Sequence, residues 1–468
     1  MMQATVREVA EWSGAERIGG LSGDESLRLI GVSTDTRHIR PGQLFVPLRG
    51  ERFDGHEYIE AAKEAGASAA LWDRAIPLPD VGMPLILVED TLAALQKLAA
   101  AYLNKRLTAK VIAITGSNGK TTTKDLISSV LATRYLVHKT EGNYNNHIGL
   151  PLTVLGAPVD TEALVLEMGM SGFGEISLLS GMARPDAAVI TNIGESHLRQ
   201  LGSRRNIAKA KLEITEGLKS GGTLVYFGDE PLIGEELPGA LAGKEIKLVT
   251  FGENADNDWI ARNIQVTTDG TRFTVAGDTE TTYELPIPGR HNGVNALAAV
   301  AIGGLFGLSP DEIGEGLRLA KLTGMRIERS NAKVGAVVLN DAYNASPTSV
   351  KAAIDLVGEL SGYRRKWVVL GDMLDLGDDE LAMHGEIGRY LDNSKADRVY
   401  VYGPLSKRTF EEAKPKYADG WVRHFENKIE LADALLEDLA PDDLVLVKAS
   451  RGMKMEDVVT MLQRGGRG

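Results

Sequence analysis

The segment VIAITGSNGKTTTKD, residues 111–125, constrains the fold more than any other part of the chain. An unbroken apolar run ends at Thr115. Gly116 and Gly119 then permit a tight turn, and a helical pattern follows with Leu126, Ile127, Val130 and Leu131 on one face. Strand, glycine turn and helix in that order build a phosphate loop, because backbone N–H groups and the positive end of a helix converge on one spot. The helix is expected to begin at Thr121 or Thr122, with Lys120 reaching the outer phosphates of a nucleotide and the Thr121 hydroxyl meeting Mg²⁺. The general pattern has four residues between its glycines, whereas GSNGKT has two, Ser117 and Asn118. The bland alternative is a plain turn with an exposed lysine; GK followed by three threonines argues against it.

A strand of this kind belongs in a parallel sheet covered on both faces. The runs ALVLE and DAAVITN repeat the style, as do GAVVLND, KWVVLGD, DRVYVYG and DDLVLVKAS further on, each separated by a helix-length stretch. Before residue 107 the pattern differs: polar turns rich in Gly, Pro and Asp alternate with short runs such as AALW and PLILVED, and a helix follows through Leu92, Leu95, Leu98 and Ala99. The expected architecture is three α/β domains. Residues 1–106 form a small N-terminal domain, 107–322 a central P-loop ATPase-like parallel sheet with helices on both faces, and 323–468 a Rossmann-like C-terminal domain. In such sheets ligands bind beyond the carboxyl ends of the strands. The residues that end each run, Thr115, Glu167, Asn192, Asp341, Asp372 and Lys448, are therefore the first to inspect.

Composition narrows the chemistry. A formal net charge of −12 argues against a general polyanion binder, and with 0 cysteines there can be no disulfide, no thiolate nucleophile and no Cys-based metal site. The opening MMQATVREVAEW lacks a basic flank ahead of an apolar core, and no run of 18 apolar residues occurs, so a cytoplasmic protein is expected.

Glu167, a charge at the end of a buried run, is a candidate Mg²⁺ ligand, since such sites take one or two carboxylates plus waters; a capping or salt-bridged carboxylate is the alternative. His197 follows the next run in ITNIGESHL, where a lone histidine is more often packed than ligating. Lys209 and Lys211 in NIAKAKLEI read as two solvated helix lysines. Asn292 and Asn295 in GRHNGVNALAA could match the edge of an adenine, or Asn292 could cap a helix. Arg326 in GMRIE fits a guanidinium on phosphate, and Asp341 in NDAYNASP a carboxylate on ribose hydroxyls. Ser346 and Pro347 mark a helix start. Ser33, Asp35 and Arg37 lie on a polar turn, and Asn143, Asn145 and Asn146 form a dense amide cluster.

Taken together, TGSNGKTTTKD, STDTRHIRPGQLFVPLRGERFDGH, EGNYNNHIGLPLTVL, LEMGM, NIGESHL, GRHNGVNALAA, GMRIE and NDAYNASPTS resemble, in order and spacing, the motifs of the Mur ligases, ATP-dependent amide-forming enzymes of peptidoglycan precursor synthesis. The resemblance covers nearly the whole chain, and NDAYNASP is most similar to members that add D-alanyl-D-alanine to UDP-N-acetylmuramoyl-tripeptide. It implies ATP and two Mg²⁺ ions, with Thr121, Glu167 and His197 as ligands and Lys211 carbamylated to complete the set; carbamylation requires a neutral, partly buried amine. It places Ser33, Asp35 and Arg37 at the uridine end of the substrate and Asn143, Asn145 and Asn146 at its sugar-peptide portion. Lys448, Ser450 and Arg451 in VKASR would meet the dipeptide. The family position after HL is usually acidic and here is Arg199; Ser346 stands where Asn is common, and Ala449 where Gly is usual. A monomer that closes its domains on the nucleotide is expected. Among rivals, a sister ligase adding a diamino acid would carry an Asp-Asn-Pro-Arg motif that is missing here, folylpolyglutamate synthase fits NDAYNASP poorly, and a GTP-binding switch would need an Asn-Lys-x-Asp motif.

Overall fold

Side chains of alternate residues on the central strands enter two different cores. Val111, Ala113, Leu164, Leu166, Ala188 and Ile190 pack into one apolar cluster, and Ile112, Ile114, Ala163, Val165, Ala187 and Val189 into another. That division is what a sheet buried on both faces requires, because successive side chains point to opposite sides. In the computed structural model, which describes residues 1–19 and 24–466, helices Thr91–Arg106, Gly149–Gly156, Glu175–Ala183 and Arg204–Leu212 contribute to the first cluster, and helices Lys120–Leu131, Arg290–Leu305 and Pro310–Arg318 to the second.

Along the central sheet the strands run in the order Asp278–Leu285, Gly270–Val275, Trp259–Thr267, Lys247–Gly252, Thr223–Phe227, Ala187–Ile190, Lys110–Thr115, Ala163–Glu167 and Val137–Lys139. The last six pair in parallel, and Lys110–Thr115 lies between Ala187–Ile190 and Ala163–Glu167. The carboxyl ends that carry Thr115, Glu167 and Asn192 are therefore neighbours. One feature departs from the expected all-parallel sheet: Trp259–Thr267, Gly270–Val275 and Asp278–Leu285 extend it as an antiparallel meander. Its turns contain Asp269-Gly270 and Gly277-Asp278, dipeptides that mark tight turns, between strands of mixed polarity that show no clean apolar run.

The C-terminal unit repeats the two-faced logic. Its sheet runs Glu328–Asn331, Val337–Asp341, Leu444–Lys448, Lys366–Gly371, Arg398–Tyr402 and Val422–Phe425, parallel except at the first edge. The N-terminal unit has a small sheet of mostly parallel strands, in which Ala69–Asp73 and Leu85–Val88 are central. Helix Thr91–Arg106, started by the Asp90 side chain on the Ala93 amide, joins this unit to the middle one: Leu95, Leu98, Ala99 and Tyr102 share a single apolar cluster with Leu71 and Ile86 on one side and Val111 and Leu164 on the other. Among the described residues no helix is long and apolar enough to cross a membrane.

Candidate active site

The apolar strand Lys110–Thr115 stops at a loop, and helix Lys120–Leu131 starts one residue earlier than the threonine run suggests, at Lys120 itself. Gly119, at φ 79°, precedes it without any side-chain cap, so the first-turn amides are left as free donors. The front of the loop is clamped by the next strand end. Ser117 N–H donates to the Asn192 carbonyl (3.1 Å), Asn118 N–H to Asn192 Oδ1 (2.9 Å), and Thr191 Oγ1 donates to the Asn118 carbonyl (2.6 Å). Those two amides are thus directed at Asn192, whereas the sequence suggests loop amides turned inward on a phosphate. Gly116 is compressed against the same clamp: a Cβ there would lie 1.8 Å from Thr191 Oγ1.

Above the loop opens a cavity of about 740 Å³ walled by the central and C-terminal units. Ser117, Asn118, Gly119, Lys120 and Thr122 line it, as do Asn143, Asn145, Asn146, Glu167, His197, Lys211, Asn292, Asn295, Arg326, Asp341 and Lys448. The topology thereby gathers most of the residues singled out in the sequence.

Lys120 Nζ donates back to the carbonyls of Gly116 (2.7 Å) and Ser117 (3.2 Å), and burial pulls its pKa below the ordinary lysine value, with Glu167 opposing and Arg326 reinforcing the shift. Arg326 comes from the far side, donating to Thr121 Oγ1 (3.0 Å) and lying 4.3 Å over the Tyr343 ring, while its Nε is buried without a partner among the described residues. Two cations therefore converge near one loop.

Glu167 is 2% exposed. Its amide donates to Thr140 Oγ1 (3.0 Å), Oε1 accepts from Asn145 Nδ2 (2.9 Å), and Oε2 is buried with no hydrogen-bond partner among the described residues. A buried carboxylate oxygen left open is costly unless a cation or donor meets it. His197 adopts a left-handed backbone (φ 65°), and burial, then the charges of Lys120 and Lys211, lower its pKa to about 4, so a neutral imidazole faces the cavity at pH 7. Lys211, in the helix Arg204–Leu212 capped by Ser203, is 2% exposed; burial and the Lys120 charge push its pKa well below the lysine norm. Lys209 is instead half exposed beside Glu236. Reading both as solvated helix lysines fails for Lys211 because the inner face of that helix packs on the sheet.

At the other end, Asn292 Nδ2 is spent on the Pro288 carbonyl (2.9 Å), and helix Arg290–Leu305 starts after Gly289, so Asn292 does not cap it. Asn295 packs over Gly119, whose added Cβ would sit 2.8 Å from Asn295 Nδ2. Lys448 Nζ reaches Asp341 Oδ2 at 2.5 Å and the Asn344 carbonyl at 3.0 Å, engaging both groups with each other.

Several expected residues stand elsewhere. Ser450 Oγ is buried in backbone bonding, accepting from the Leu374 amide (2.9 Å) and donating to the Ala345 carbonyl, and Arg451 is exposed and paired with Glu456; neither lines the cavity. Ser33, Asp35 and Arg37 lie on a turn outside it, where Arg37 grips Asp35 and holds its carboxyl below the usual range. Gly116 and Thr121 sit behind the cavity wall rather than on it. Asp372 is buried and accepts the amides of Leu405 and Ser406, a structural turn. Asn145, expected on the sugar-peptide, is held against Glu167. Conversely, Thr191, His291, Tyr343 and Thr348 line the site without having been singled out. His291 is the third residue of GRHNGVNALAA and could have been found there; its pKa is lowered by burial to about 4.

The sequence matches three Mur family descriptions in series: the Mur ligase family catalytic domain over residues 28–103, the Mur ligase middle domain over 114–303, and the Mur ligase glutamate ligase domain over 325–451. The UDP-N-acetylmuramoyl-tripeptide--D-alanyl-D-alanine ligase of Bacillus subtilis is 50% identical over 461 residues, 98% of each chain, and that of Escherichia coli 37% identical over 96% of each. Among solved structures, MurF from Acinetobacter baumannii superposes with a TM-score of 0.88 at 28% identity, covering 99% of both chains. MurF ligase from Thermotoga maritima in complex with ADP gives 0.80 at 29% identity, covering 93% of this chain and 97% of that one. With all three domains matched and half of its residues shared with a full-length relative, the chain belongs to the Mur ligase family.

Proposed function

We propose that the protein is an ATP-dependent ligase that joins D-alanyl-D-alanine to UDP-N-acetylmuramoyl-tripeptide, giving the UDP-muramoyl-pentapeptide of peptidoglycan synthesis. The observation that carries this reading is the 50% identity with the Bacillus subtilis enzyme over 98% of both chains. The cavity supports it, since a phosphate loop, two converging cations and an open buried carboxylate oxygen face one another within it. Residues 1–106 would take the UDP end of the substrate, 107–322 the ATP, and 323–468 would supply Arg326 and Asp341 and receive the dipeptide.

Phosphoryl transfer is mainly positioning and charge neutralisation. Lys120 and Arg326 would collect the γ-phosphate as the free carboxylate of the muramoyl peptide attacks it, forming an acyl phosphate and releasing ADP. The dipeptide amine then attacks the acyl carbonyl, and the tetrahedral intermediate expels phosphate. Asn292 Oδ1 and Asn295 would read the adenine, and Asp341, once parted from Lys448, the ribose. Glu167 Oε2 and the neutral His197 imidazole fit Mg²⁺, the Thr121 hydroxyl would join them once released from Arg326, and the Lys211 amine, whose neutral form burial favours, is suited to carbamylation by CO₂ into a further oxygen ligand. Bound Mg²⁺ would supply charge neutralisation at the phosphates. Among the described residues no three acidic or histidine side chains gather to hold a metal, so a carbamate and phosphate oxygens would complete the shell. With ATP and a soluble UDP-linked substrate, the cytoplasm is the proposed location.

The test is phosphate release with ATP, Mg²⁺, UDP-muramoyl-tripeptide and a panel of amines. Turnover is expected only with D-alanyl-D-alanine or a close analogue. Comparable turnover of UDP-muramoyl-dipeptide with a diamino acid would reassign the chain to the sister ligase.

A further inference from the structure

The second turn of the phosphate-loop helix holds a buried ionic cluster for which the proposed chemistry has no use. Lys124 and Asp125 have side chains 0% exposed and lie 3.2 Å apart. Lys124 Nζ donates to the Thr140 carbonyl (2.9 Å), and Lys139 Nζ donates to Asp125 Oδ1 (2.7 Å). The other carboxylate oxygen, Oδ2, accepts twice from one distant residue: the Thr323 amide at 2.8 Å and the Thr323 hydroxyl at 2.9 Å. Taking a carboxylate out of water is expensive, and apolar side chains would pack this helix as well, so a buried pair of this kind contributes direction more than stability.

The direction it fixes is that of the segment leading to Arg326. Thr323 opens the crossing from the middle domain to the last. Within four residues of it the backbone turns left-handed at two non-glycine positions flanking the arginine, Met325 (φ 61°) and Ile327 (φ 53°). That conformation is unfavourable for any side chain and most for a β-branched one, so the path must be held from outside. At one end Asp125 holds Thr323. At the other, the Arg326 guanidinium rests on Thr121 and Tyr343. Thr121 and Asp125 are four residues apart on the helix and share a face. One face of the phosphate-loop helix thus grips both the root and the tip of the arginine's segment.

We propose that Asp125 is a positioning residue for phosphoryl transfer: by pinning Thr323 it sets where the strained segment delivers the Arg326 guanidinium above the phosphate loop. Turnover, rather than ATP binding, depends on it. The inference rests on the phosphate-facing role given to Arg326 above.

The experiment is a kinetic cycle in the full-length enzyme. A hydrogen bond to a charged group contributes about 1.5–3 kcal/mol, so Asp125→Asn and Thr323→Val are each expected to lower kcat by about tenfold or more. KM for ATP should stay within about twofold, and Thr323→Ser should keep wild-type kcat. Thr323→Val removes a single donor and covers the case in which Asp125→Asn does not fold. In an Arg326→Lys background the same substitutions should cost less than about twofold further, since the group they position is gone. An equal loss in both backgrounds, or a rise in KM with kcat unchanged, would overturn the proposal as a purely structural effect. Wild-type kcat in Arg326→Lys alone would instead remove the role of Arg326, and the proposal with it.

Discussion

Replacing Lys211 by Met should make the protein more stable and inactive. Lys211 is 2% exposed, burial favours its neutral form, and among the described residues no hydrogen bond or ion pair holds the amine. An unpaired buried polar group costs about 1–3 kcal/mol; because Lys211 borders the cavity, the lower end, about 1 kcal/mol, applies. Methionine keeps an unbranched stem of similar volume, so removing the amine opens little space. For a cooperative unit of about 150–250 residues, 1 kcal/mol moves the thermal midpoint by about 2–4 °C, here upward. Midpoints should be compared in CO₂-depleted buffer, and phosphate release measured with bicarbonate restored. Wild-type turnover should rise with bicarbonate and the variant should show none at either condition. A midpoint that falls by several degrees would refute the reasoning, because it would reveal a stabilising partner for the amine. Near wild-type turnover in Lys211→Met would dismiss its functional role independently.

Lys120→Ala is expected to lower kcat by about 10²–10³-fold, the usual cost of losing one preorganised donor, while the thermal midpoint stays nearly unchanged because, among the described residues, Nζ supports only the Gly116 and Ser117 carbonyls. Gly116→Ala should abolish nucleotide binding, measured by calorimetry, since its Cβ would displace Thr191 Oγ1 at 1.8 Å and break the Thr191–Asn118 clamp; unchanged affinity would show that the clamp is dispensable. Acid should destabilise the fold in a defined window. His197 and His291 titrate at about 4 when folded and at the ordinary value of 6.5 when unfolded, so the unfolded chain takes up protons first and stability falls as pH drops from 6.5 toward 4, with no contribution from them above about pH 7. Urea midpoints at pH 7.5, 6 and 5 test this, and His291→Gln should flatten the slope; an unchanged slope would exclude His291 from it.

The phosphate loop and the parallel strands were legible in the sequence because their signals are local. A strand buried on both faces reads as an apolar run, a tight turn needs glycine, and a helix shows its face within two turns. Once those elements close into a parallel sheet, Thr115, Glu167 and Asn192 are bound to stand at one edge, whatever the loops do. The antiparallel meander at residues 259–285 was less legible, since its strands lie at the sheet's edge and alternate without a clean apolar face.

Which side chains meet was decided only by tertiary packing. Nothing in TEGNYNNHIG says that Asn145 turns to Glu167 rather than outward, and nothing in VKASR separates Lys448, drawn to Asp341 inside the cavity, from Arg451, which points to Glu456 outside it. Lys209 and Lys211 sit two residues apart on one helix, and only the sheet beneath makes one half exposed and the other a buried amine. Arg326 reaches Thr121 across 205 residues of sequence. Local pattern records whether a residue prefers water or the core; its partner, and with it its protonation and its chemistry, follows from distances that exist only after the domains have packed.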